Sequence, residues 1–304
     1  MSVRLRRLFP VLLSILILSL LLLVIFRDAG ISVANRIGSV FRGADPTSNS
    51  RPVQAGISST RAVEAGLLSE GVTRAGKRYY TVTVDLEDAD LRLFYKNESD
   101  APFGGFDRLE KWLIDRNERL LFAMNAGIYD TAYHPLGLHI ENGKIVQELN
   151  LRSGNDGDKV ADGGNFYLLP NGVFQVENGA ASVVESQKMS GRVDWHAVGL
   201  ATQSGPLLVY DGHIHPAFKE DSKNFNIRNG VGVINAKTVV FIISRDPVSL
   251  YDLAAVFKED FHCDNALYLD GFISAFYLPG LEQSAANPAP FAGILAVTSK
   301  TGGN

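Results

Sequence analysis

The stretch Thr238-Val239-Val240-Phe241-Ile242-Ile243 is apolar on both faces that a β-strand presents. β-Branched and aromatic side chains dominate it, and turn-forming residues bound it. A strand buried on both sides has this composition. Leu120-Leu121-Phe122-Ala123-Met124 and residues 206–210 and 266–269 repeat the design, and 79–85 (YYTVTVD) and 91–95 add β-branched and aromatic runs. Asn142-Gly143, Asn171-Gly172 and Asp211-Gly212 sit beside such runs and read as hairpin turns.

Two helices interrupt the strands. Residues 106–116 place Phe106, Leu109, Leu113 and Ile114 at helical spacing. Ser249 followed by Asp252 is a capping-box pattern, and Leu253, Val256, Phe257 and Phe261 then line one face. Strands outnumber helices without a regular βαβ alternation. The expected fold is therefore α+β, a single mixed-sheet domain with few helices over residues 66–298, followed by a tail at 299–304.

The 304 residues are 46% hydrophobic, which excludes disorder as the main state. A single cysteine, Cys263, excludes a disulfide scaffold, and a packed thiol is its expected role. Charge is uneven. Residues 1–60 sum to +5 and the remainder to −9, so the domain is a poor nucleic-acid binder.

Arg4, Arg6 and Arg7 precede an apolar run at residues 8–26. Such a run spans roughly 28 Å as a helix, close to a bilayer core. We expect residues 1–26 to be a transmembrane anchor and 27–65 a linker, with the domain exported to the periplasm or outside. A signal peptide cleaved near Ala34 is the alternative.

Polar residues that end apolar strands are the candidates for chemistry. Asn125 with Gly127, Gln203 and Ser204 with Gly205, Arg228 and Asn229 with Gly230, and Asp270 with Gly271 and Ser274 share one design. Each places a polar side chain beside a glycine, where backbone can approach a ligand. Turn formation explains any one of them alone.

These segments carry a resemblance. Residues 124–129 (MNAGIY) with 135–138 (PLGL), then Gly164-Asn165-Phe166, 203–209 (QSGPLLV), 228–232 (RNGVG) and 265–271 (NALYLDG) occur in this order over about 78–298. Together they resemble the phosphodiester glycosidase family of uncovering-enzyme-like domains, most nearly its small bacterial envelope members. Ala126 and Phe272 stand where the family often has glycine. The resemblance implies hydrolysis of the bond between a sugar anomeric carbon and a phosphodiester, with no cofactor.

That reaction needs a carboxylate near the anomeric carbon and donors for the phosphate. Asp270 is the expected carboxylate and Arg228 the expected bidentate phosphate ligand. Asn125, Gly127, Asn165, Gln203, Ser204, Asn229 and Ser274 are the expected substrate-binding set. Asp130, Glu141 and Asp246 are unranked candidates for a second carboxylate. Three rival readings compete. His213 and His215, with His134, His139 and Asp211, suggest a metal-dependent hydrolase. The same strand ends also suit a glycan-binding envelope module without catalysis, or a glycosidase acting on other polysaccharides.

Overall fold

The computed structural model describes residues 56–153, 164–270, 273–279 and 290–300. They fall within one compact unit, Val53–Asn304. The expected anchor at 1–26 lies outside the described residues, as do Gly271, Phe272 and the tail beyond Lys300. No helix among the described residues is long and apolar enough to cross a membrane.

The strands are β1 Gly56–Glu64, β2 Leu67–Arg74, β3 Lys77–Asp85, β4 Asp90–Phe94, β5 Glu118–Asn125, β6 His139–Glu141, β7 Lys144–Gln147, β8 Gly172–Glu177, β9 Ala180–Glu185, β10 Val198–Ser204, β11 Leu207–Tyr210, β12 His213–Ile214, β13 Asn229–Asn235, β14 Thr238–Ser244, β15 Asn265–Tyr268, β16 Phe276–Tyr277 and β17 Ile294–Lys300. Helix α1 is Phe106–Ile114 and helix α2 is Leu250–Ala255, continued by a π-turn at Val256–Asp260. The sheet-dominated architecture with few helices is as expected. The strand pairing is not of mixed direction: every pairing among the described residues is antiparallel.

Three sheets form. One has eight strands in the order β1-β2-β3-β14-β13-β15-β11-β12, one has five (β7-β6-β10-β8-β9), and one has four (β16-β5-β17-β4). The apolar stretch at 238–243 is β14, near the middle of the largest sheet. Its Phe241 and Ile243 face a shared core with Phe122 of β5 and Phe174 of β8, while Val240 and Ile242 face α2 on the other side. Two-sided burial is why the stretch lacks alternation. The outer face of the four-stranded sheet is covered by Phe106, Leu109 and Leu113 of α1.

Local chemistry explains the element ends. The Ser249 side chain accepts from the Asp252 amide, and Asp252 accepts from the Ser249 amide, completing the capping box at α2. Asn142-Gly143 and Asp211-Gly212 have positive φ and close the β6–β7 and β11–β12 hairpins.

Three expectations need correction. Asn171-Gly172 is no hairpin turn. Gly172 begins β8, and a Cβ there would stand 2.4 Å from the Leu207 side chain, so this glycine serves close packing. The β8–β9 turn is Asn178-Gly179 instead. Ile114 is not on the buried face of α1 but 61% exposed, at the last helical residue. Residues 56–64, expected as linker, form the edge strand β1.

Candidate active site

Four of the expected site residues, Asn125, Ser204, Asn229 and Ser274, converge on the chain just beyond β15, where Asp270 stands. Asp270 is 6% exposed. Its backbone is held from several sides. The Leu269 amide donates to the Asn229 carbonyl (3.3 Å), extending the β13–β15 ladder by one rung. The Ser204 hydroxyl donates to the Leu269 carbonyl (3.2 Å) and accepts from the Ile128 amide. The Ser274 hydroxyl lies 3.2 Å from the Asp270 carbonyl and 3.1 Å from that of Ile227.

Asn125, at the end of β5, secures the returning chain. Its Oδ1 accepts from the Ala275 amide (2.8 Å) and from Asn229 Nδ2 (2.7 Å), while its Nδ2 donates to the Ile273 carbonyl (2.6 Å). Asn125, Ser204, Asn229 and Ser274 thus fix the segment that carries Asp270. A carboxylate mounted this way loses little freedom when a substrate arrives.

Asn229 differs from its neighbours in one respect. It is fully buried, and its Oδ1 has no hydrogen-bond partner. Such an atom normally finds a donor, so this one has acceptor capacity left for a ligand hydroxyl or water.

Two tyrosines that sequence reasoning gave no role sense the Asp270 charge. Burial, and then the Asp270 carboxylate, hold the Tyr129 phenol well above its ordinary range. Tyr129 Oη donates to the Pro290 carbonyl (2.9 Å). Burial pushes the Tyr268 phenol up to about 12, with Arg228 opposing and Asp270 reinforcing the shift. Both residues lie in the quoted motifs, which was the available signal.

Arg228 is turned the other way from a ligand clamp. Its Nε donates to the Val248 carbonyl (2.9 Å), Nη1 to Tyr268 Oη (2.9 Å) and Nη2 to the Asn224 carbonyl (3.0 Å), and it is 2% exposed. Strand alternation sends neighbouring side chains to opposite faces, so Arg228 and Asn229 part company. The expected bidentate phosphate fork is here a buried strut.

Gln203 is likewise saturated. Its Oε1 accepts from the Leu138 and Asn150 amides, and its Nε2 donates to the Asn150 carbonyl and Ser186 Oγ. Gly127 is required by protein, not by a ligand: a Cβ there would stand 2.2 Å from the Gln203 carbonyl. Asn165 sits partly exposed in a single helical turn, Gly164–Tyr167, and its carbonyl accepts from the Leu168 amide.

The unranked carboxylates are engaged elsewhere. Asp130 Oδ1 accepts from the Ala132 and His134 amides. Glu141 meets the buried His139 at 2.8 Å. Asp246 binds the Arg78 amide, Nε and Nη2. The histidines of the metal reading are also accounted for. His213 Nδ1 meets the Asp211 carbonyl, and His215 lies between the Leu169 carbonyl and the Ala217 amide. No group of three or more His, Cys, Asp or Glu among the described residues could hold a metal ion. Cys263 is packed, and burial pushes its thiol up to about 12.

Comparison with known proteins fits this arrangement. The phosphodiester glycosidase (NAGPA) family profile matches residues 118–295, from the start of β5 into β17. Protein YigE of Escherichia coli (strain K12) is 35% identical over 202 residues, covering 65% of this chain and 73% of YigE. Among solved structures, the zebrafish N-acetylglucosamine-1-phosphodiester alpha-N-acetylglucosaminidase catalytic domain, auto-inhibited by its pro-peptide, has a TM-score of 0.51 at 15% identity. That likeness covers 84% of this chain and 86% of the zebrafish one and concerns the fold. By the extent of the family match, more than half of its length, the chain belongs to the phosphodiester glycosidase family.

Proposed function

We propose that this protein is an exported hydrolase that cleaves the bond between a sugar anomeric carbon and a phosphodiester in envelope or extracellular glycans. Residues 1–26 hold it to the membrane, with the domain outside. The family membership supports the reaction class. The observation that carries the site is the convergence of Asn125, Ser204, Asn229 and Ser274 on the backbone around Asp270.

Asp270 acts at the anomeric carbon. The leaving group is a phosphate monoester, which departs as a stabilised anion, so one positioned carboxylate can suffice where an ordinary glycoside needs a strong general acid as well. The unpartnered Asn229 Oδ1 accepts from a sugar hydroxyl or from the attacking water. Arg228 acts at one remove, by bracing Tyr268 and the approach to β13.

The test is turnover of an activated sugar phosphodiester by the purified protein. The anomer formed first, read by NMR, assigns Asp270 as nucleophile (retention) or base (inversion). Absence of turnover with retained glycan binding would replace the enzyme with a binding module. Equal turnover of neutral aryl glycosides would replace it with an ordinary glycosidase. Protease added to intact spheroplasts should digest the domain, and its full protection would refute export.

A further inference from the structure

A cavity of about 320 Å³ opens on the eight-stranded sheet, on the face that packs against β16. That is the small end of the range for ligand sites, about 300–1,000 Å³. Ser69, Thr73, Arg78, Tyr80, Arg245 and Phe276 are on its wall. The Tyr80 and Phe276 rings meet at 5.3 Å and 49°, forming an apolar corner.

The two arginines differ. Arg78 is neutralised by Asp246 through three hydrogen bonds. Arg245 has no carboxylate partner among the described residues. Its side chain donates to Tyr80 Oη and lies with its guanidinium carbon 4.6 Å from the ring centre of that tyrosine. Glu70, also on the wall, is engaged by a partner of its own. The cavity therefore joins an aromatic corner to an exposed, uncompensated cation with hydroxyl groups nearby.

Its position relative to Asp270 follows from strand register. Leu269 bonds Asn229, Asn229 pairs with Ile243, Ile243 with Tyr80, and Tyr80 with Gly71. Directly paired residues share a face, so this rung runs from Leu269, the chain neighbour of Asp270, to the cavity through the buried Asn229 and Ile243. At about 4.8 Å per strand, Tyr80 lies roughly 14 Å from Leu269. That exceeds one sugar, and a glycan chain joining the two sites has to pass round the end of the sheet, outside this buried rung.

We propose that this cavity is a second glycan subsite, which takes a phosphate-bearing sugar unit one step along the chain from the bond cleaved at Asp270. The apolar corner packs the ring and Arg245 takes the phosphate. Resting on the function proposed above, this makes the substrate a polymer with an anion in each repeat, not a single capped sugar.

The binding can be tested apart from catalysis. Glucose 1-phosphate, inorganic phosphate, glucuronate and glucose are titrated into the Asp270→Asn protein and followed by amide NMR. Glucose 1-phosphate should shift Gly71, Thr73 and Leu278, and glucose should bind at least tenfold more weakly. Arg245→Ala should lower the affinity roughly tenfold, and Arg245→Lys less, because the ammonium keeps the charge without the fork. Thermal melting verifies that each variant is folded, and Arg245→Gln serves if the alanine variant is not.

Shifts confined to Gly127 and the residue at position 270, or unchanged affinity in the Arg245 variants, would overturn the subsite. Equal binding of glucuronate would reassign it to carboxylate sugars, and tighter binding of inorganic phosphate alone would remove the sugar from it. If Asp270→Asn keeps full hydrolytic activity while the Arg245 result holds, the reading of Asp270 fails and the subsite stands.

Discussion

Asn125 and Asn229 face each other across two sheets and share one hydrogen bond, yet they end up differently. Every polar atom of the Asn125 side chain is satisfied by protein. Asn229 gives its amide to Asn125 and keeps a buried oxygen with no donor. Gln203 and Arg228 side with Asn125, since their polar groups are engaged by the fold. Buried polar groups that are satisfied fix the architecture, and one left open marks where a ligand is expected.

The contrast predicts which substitutions harm folding and which harm only turnover. The largest effect should come from Arg228→Ala. It strips the Val248 and Asn224 carbonyls and Tyr268 Oη of a donor and leaves a cavity. The Val248 carbonyl keeps the Asn226 amide and Asn224 is exposed, so the cost falls on the buried Tyr268 Oη and the cavity, and a loss of about 3 kcal/mol is expected in a denaturant titration. Wild-type stability with lost activity would instead restore Arg228 as a phosphate ligand.

Asp270→Asn comes next and should show the opposite pattern. The volume is kept and the backbone bonds from Ser204 and Ser274 do not involve the side chain. The melting temperature should hold while kcat falls on the order of a hundredfold or more. Near-normal turnover would demote Asp270 to a turn former. A milder effect is expected for Asn229→Ala. It removes the open acceptor but also unpairs Asn125 Oδ1 from one donor, so KM should rise along with a modest stability loss. A stability loss with unchanged KM would mean that Asn229 Oδ1 meets no ligand.

Much of the fold was visible in the sequence because its signals are local. The two-sided apolar run at 238–243, the capping box at Ser249 and the Asn142-Gly143 turn each depend on adjacent residues. Asn171-Gly172 misled because its glycine answers to Leu207, which is distant in sequence. The site was half legible for the same reason. Polar strand ends beside glycine were recognisable, but their partners were not. Asn125 bonds Ala275, 150 residues away, and Asn229, 104 away. Whether such a group meets backbone or substrate is decided by strand pairing, and so Gln203 and Arg228 read as ligand contacts until the sheets were assembled.

The smallest effect concerns the second pair of like residues, Arg78 and Arg245. Asp246 accepts three hydrogen bonds from Arg78, which hold its carboxyl down to about 2, against an ordinary value of 3.8. A carboxylate whose folded pKa is depressed stabilises the fold above its unfolded pKa, and that stabilisation is lost as pH falls through the folded value. Melting curves of the wild type should therefore drop between about pH 4 and pH 2 more steeply than those of Asp246→Asn, and the two should converge below. The difference should be small and should shrink in high salt, because the pair is partly exposed and screened. Parallel curves across this window would show that Asp246 contributes nothing to stability. The same substitution leaves Arg78 as a second uncompensated cation on the cavity wall. Glucose 1-phosphate should then bind the variant more tightly than the wild type at neutral pH. Unchanged affinity would show that Arg78, unlike Arg245, does not face the ligand.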